Sequence, residues 1–77
     1  MTEDKQVLYY KVDNPYNELM PRLVLYLMND KDAFKLHSVQ NNIAILVNEN
    51  FDIALFEQNA KTLNVKLLPI TSTDFFN

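Results

Sequence analysis

A chain of 77 residues with no glycine lacks the residue that most cheaply takes positive φ in tight turns and at helix ends. Its turns must be made with asparagine, aspartate or proline, or with ordinary residues under strain. Ten asparagines are present for the purpose. The constraint bites first in FKLHSVQNNIAILVNEN, residues 34–50, where two β-like runs flank Asn41-Asn42. A two-residue hairpin turn needs positive φ, and asparagine tolerates it next best because its short side chain bonds locally to the backbone. The expected hairpin therefore turns at Asn41-Asn42 and pairs Gln40 with Ile43, Ser38 with Ile45 and Leu36 with Val47. Asn64 is expected to end a helix where glycine would be usual.

The remaining elements follow from pattern. QVLYYKV, residues 6–12, reads as a strand of β-branched and aromatic residues, and DNPYN after it as a turn. Met20–Met28 is expected to be helical. Pro21 would break a mid-strand ladder, but it is tolerated in the first turn of a helix capped by Asn17. Met20, Leu23, Val24 and Leu27 then share a face, with Leu23 and Leu27 buried against Phe34 and Ile45. In NFDIALFEQNAKTLN, residues 50–64, Asn50 can cap a helix with Asp52 in its first turn. Ile53, Phe56, Ala60 and Leu63 form its apolar stripe. VKLLPITS, residues 65–72, reads as an edge strand, because Pro69 cannot donate to a ladder.

The order is β-α-β-β-α-β. With right-handed crossovers it is the ferredoxin-like, split βαβ arrangement, an α+β four-stranded antiparallel sheet with two helices on one face. Residues 1–77 make one small domain, with 1–5 and 71–77 as polar or loosely packed ends. Phe75 and Phe76 in that tail are expected to fold back on the core or on a partner.

The strand pattern assigns the faces. Lys11 places Val7, Tyr9 and Lys11 outward, opposite Leu8, Tyr10 and Val12. The open face then shows Val7, Tyr9, His37, Val39 and Leu46, an apolar patch large enough to carry meaning. These five residues are the candidate partner interface. A domain this small has little stability to spare, and without cysteine no disulfide reinforces it. A two-fold homodimer through the open face is the expected reinforcement, with Tyr9 and Leu46 as anchors.

Chemistry is sparse. His37, the only histidine, is a strand neighbour of Ser38, so the two side chains point to opposite faces and form no nucleophile–base pair. Asp30 and Asp32 lack the other ligands of a calcium loop, and no Cys/His cluster exists to hold zinc. A formal net charge of −3 works against phosphate-backbone binding. Tyr9-Tyr10 lacks the glycine and basic companions of RNA-binding sheets. No enzymatic activity, cofactor, metal, nucleic-acid or membrane partner is expected. The absence of cysteine fits a reducing cytoplasm, and the lysine and asparagine usage fits an AT-rich bacterial or phage genome.

The expected function is therefore a non-enzymatic protein-interaction or regulatory module. In its element order the chain also resembles the ACT domain. That resemblance implies a small-ligand sensor binding an amino acid at a dimer interface, near a glycine-containing loop between the first strand and first helix. The corresponding DNPYN, residues 13–17, has no glycine. A phage-encoded inhibitor of a host protein is a further reading of the same surface.

Overall fold

The computed structural model describes residues 5–14 and 16–76. Of the ends expected to be loose, residues 1–4 and 77 lie outside this range. Strand β1 is Lys5–Val12, helix α1 Met20–Met28, β2 Ala33–Val39, β3 Asn42–Asn48, α2 Ile53–Thr62, β4 Leu67–Pro69 and α3 Ser72–Phe76. The four strands form one sheet in the order β2-β3-β1-β4, antiparallel throughout.

Alternation sorts the strand residues onto two faces. Leu8 lies opposite Ile45 and Tyr10 opposite Ile43, while Leu36 pairs with Ile45 and Ser38 with Ile43. This face meets α1 and α2. Leu23 and Leu27 of α1, with Phe56 and Ala60 of α2, join Tyr10, Val12, Ile43, Ile45 and Val47 in the core. The Phe56 ring lies at its centre, 5.7 Å from Tyr10 and 5.8 Å from Phe51, and stacks at 6.4 Å on Tyr26. The expected outward placing of Val7, Tyr9 and Lys11 holds.

Helix α1 has the expected bounds, and Pro21 sits in its first turn, where its missing N–H costs little. Asn17 does not cap it by the expected route. Its Oδ1 accepts the Leu19 N–H at 2.8 Å, before the helix begins. Helix α2 is capped by Asp52, whose carboxylate accepts the Leu55 N–H at 3.0 Å. Asn50 is spent elsewhere, donating its N–H to Asn48 Oδ1. Asn64 does take positive φ, at 59°. Two asparagines clip the orphan carbonyls there. The Asn17 amide donates to Leu63 and Asn64 oxygens, and the Asn14 amide donates to Asn64 while its oxygen accepts the Lys66 N–H.

Three expectations need correction. The hairpin turns one residue earlier, at Gln40-Asn41, with Val39 opposite Asn42. Gln40, not an asparagine, takes the positive φ of 55°. The shift moves each pairing by two residues, so the side chains from Lys35 to Val39 keep their expected faces. A bulge between Ala33 and Lys35 then brings Ala33, in place of Leu36, opposite Val47, leaving Phe34 46% exposed rather than buried against Leu23 and Leu27. Lys5 Nζ lies 4.9 Å from the Phe34 ring centre instead, a cation–π contact. Finally, the strand expected over residues 65–72 pairs only at Leu67–Pro69, and the tail after it is neither strand nor loose. Ser72–Phe76 is a third helix, packed against β1 and β3.

Candidate interaction surface

The second face of the sheet is built from alternate residues of every strand. Val7, Tyr9 and Lys11 come from β1, and Lys35, His37 and Val39 from β2. Asn42, Ala44 and Leu46 come from β3, and Leu68 from β4. The register thus brings all five candidate residues, Val7, Tyr9, His37, Val39 and Leu46, onto one surface. Tyr9 faces Ala44, which faces His37, and Val7 faces Leu46.

Helix α3 stands over the middle of this surface. Phe75 is only 2% exposed. Its ring centre lies 5.4 Å from Tyr9 and 6.4 Å from His37, at tilted angles that suit the ring quadrupoles. Phe75 is buried, yet it stands outside the main core cluster. A reciprocal cap starts the helix. Thr71 Oγ1 accepts the Asp74 N–H at 3.2 Å and donates to the Asp74 carboxylate at 3.1 Å. The Asn42 amide reaches the Asp74 carbonyl at 3.5 Å, and Ile70 N–H bonds Tyr9 oxygen at 3.1 Å.

Sequence reasoning missed this helix. Five residues are too few for an apolar period, but Thr71-Ser-Thr-Asp74 has the capping-box spacing before Phe75-Phe76, and that signal could have found it. The expectation that another chain must cover this face rested on two helices being available. A third supplies part of the cover. Around it a rim stays exposed: Val7, Val39, Leu68 and, at 76%, Phe76.

Charge is segregated across the molecule. The four strands carry no acidic residue. Lys5, Lys11, Lys35 and His37 all fall on the second face by register, although the chain as a whole carries −3. The acidic side chains of the α1–β2 loop do other work. Asp30 Oδ1 accepts the Asp32 N–H at 2.8 Å, and Asp32 Oδ1 accepts from the buried Asn48 amide at 2.9 Å. This ties the α1–β2 loop to the end of β3. Among the described residues no group of three or more His, Cys, Asp or Glu side chains is placed to hold a metal ion. No helix among them is long and apolar enough to cross a membrane.

Two tyrosines have raised pKa values. Burial pushes the Tyr10 hydroxyl well up, and its 3.0 Å hydrogen bond to the Glu57 carboxylate, with that group's charge, adds to the effect. Tyr26 is raised first by burial, then by Asp30 and Asp52. Both belong to the helix-covered side and serve stability.

A cleft of about 240 Å³ lies between the end of α1 and β2, lined by Leu27, Met28, Phe34, Leu36 and Ile45. It falls short of the ~300–1,000 Å³ usual for small-molecule sites. In the β1–α1 loop, where the ACT resemblance would place a ligand, the Asn14 and Asn17 amides are engaged in clipping α2. Compared with known proteins, the chain matches no family model, and no curated protein or solved structure is significantly similar to it.

Proposed function

We propose that this chain is a non-enzymatic interaction module of the ferredoxin-like, split βαβ arrangement, and that it self-associates through the second face of its sheet. The strand order β2-β3-β1-β4, with one helix in each crossover, supports that arrangement. The observation that carries the functional reading is the rim. Val7, Val39, Leu68 and Phe76 expose apolar side chains on one side of the molecule, around a centre that Phe75 covers in part, with Tyr9, Ala44 and Leu46 half-buried. A half-covered aromatic centre with an apolar surround is what a protein contact can complete. The committed loop asparagines favour this over a small-ligand sensor.

Sedimentation equilibrium tests the reading. Wild-type mass should rise toward a dimer with concentration. Leu46→Lys places a charge beside the contact and should shift the protein to monomer. A wild-type chain that stays monomeric at high concentration defeats self-association, as does a Leu46→Lys variant that dimerises like wild type.

A further inference from the structure

The proposed contact faces a physical difficulty. Two copies meeting bare face to face would bring two sets of Lys5, Lys11 and Lys35 together, with no acidic side chain on any strand to offset them. Like charges so placed oppose association.

We infer that the copies associate by exchanging α3, each chain seating its Asp74-Phe75-Phe76 segment on the second face of the other. This rests on the reading that the second face is the self-association surface, and names what fills it. The fit of the occupant is visible within one chain. Phe75 fills the seat between Tyr9 and His37, and the Asp74 backbone is held by Asn42. Asp74 also borders the same depression as Lys11, bringing a carboxylate to the lysine-bearing face. A segment that is acidic and aromatic therefore complements a face that is basic and aromatic.

The segment is also poised to leave. Five residues cannot sustain a helix alone. Phe75 is its one buried side chain, and Phe76 already projects to solvent. Between β4 and α3 lie only Ile70 and Thr71, so a change at these two residues redirects α3 to a neighbour. The same contacts form within a chain or between chains. The balance is then set by concentration and by the freedom of the link, the usual basis of exchanged dimers.

The test uses two full-length variants with opposite defects. Phe75→Ala keeps the seat but loses the anchor, and Tyr9→Asp keeps the anchor but spoils the seat. Circular dichroism first establishes that each is folded. His37→Asp replaces Tyr9→Asp if the latter is not. Exchange predicts that each variant alone sediments as a monomer, and that an equimolar mixture recovers a dimer. Bare face-to-face association predicts the reverse for Phe75→Ala, which uncovers more apolar face and should dimerise more tightly than wild type. That result overturns the exchange while leaving self-association standing. A mixture that stays monomeric while wild type dimerises also overturns it. If wild type is monomeric throughout while a synthetic Thr71–Phe76 peptide binds Phe75→Ala, the seat takes only its own chain's segment. Both the exchange and the self-association reading then fall.

Discussion

Tyr9 and Tyr10 are neighbours in one strand, yet they belong to two differently built halves of the molecule. Tyr10 lies under α2, its ring against Phe56 and its hydroxyl on Glu57, inside a buried cluster fed by two strands and two helices. Tyr9 lies under α3, its ring against the single phenylalanine that five residues of helix bring back to the sheet. One side is held by many contacts that cannot be lost singly without a cavity. The other is held by one side chain on an element with almost no stability of its own. The first half is a core, and the second is a surface with a stopper.

The largest expected effect checks that contrast directly. Phe56→Ala should destabilise the fold by about 3–5 kcal/mol, because its neighbours Tyr10, Tyr26 and Phe51 cannot collapse into the void. For a domain of this size that leaves little or no folded protein. Phe75→Ala should cost less, about 1.5–3 kcal/mol, near the value for burying one phenylalanine without a rigid cavity around it. Urea denaturation of both variants measures the difference. Equal losses, or a Phe75→Ala protein whose helix-covered side also melts, would break the distinction between core and stopper.

The adjacent tyrosines sharpen it. Tyr10→Phe removes the hydrogen bond to Glu57 and should cost about 1–2 kcal/mol, since a half-buried carboxylate loses its partner. Tyr9→Phe keeps the ring contact with Phe75 and should stay within about 0.5 kcal/mol of wild type. The pH profile adds a second reading. Tyr10 has a raised pKa in the folded state, so the unfolded chain gives up its proton first. Its contribution is whole below about pH 10 and is lost as pH rises above that value. Thermal melts at increasing pH should show this fall in wild type. Tyr10→Phe should lose part of it, and Tyr26, raised in the same sense, should account for a remainder. A profile unchanged by Tyr10→Phe would place the alkaline weakness elsewhere.

How legible each half was follows from the same contrast. The helix-covered side repeats itself in the sequence: Phe56 and Ala60 four apart on α2, Leu23 and Leu27 four apart on α1, and alternate residues on β1 and β3. Periodic burial leaves a periodic trace, and Lys11 was enough to orient β1. The second face carries its identity in register rather than in any one segment. Its five candidate residues were legible as a set because parity survives a two-residue slip. The stopper was not, because Phe75-Phe76 follows a capping pattern too short to stand out from a polar tail. Phe34 was misplaced for a different reason. A bulge depends on how β2 fits β3, and nothing in AFKLHSV announces it.

A small gain in stability is expected at the hairpin that joins the two halves at their edge. Asparagine preference pointed to Asn41-Asn42, but Gln40 occupies the left-handed region at φ 55°, where a residue with a Cβ is strained by roughly 1–2 kcal/mol. Glycine there relieves that strain but loses roughly 0.5–1 kcal/mol to the freedom of the unfolded chain. Gln40→Gly should therefore stabilise by about 0.5–1 kcal/mol on balance, with both faces unchanged. Asn42→Gly tests the alternative. Asn42 is a strand residue paired with Val39 and Lys11, and its amide reaches Asp74. Glycine at that position should destabilise by a similar amount and loosen α3. If Asn42→Gly stabilises and Gln40→Gly does not, the turn lies where preference put it. The register of β2 then moves by two residues, Leu36 passes from Ile45 to Val47, and His37 loses its place opposite Ala44 beside Phe75.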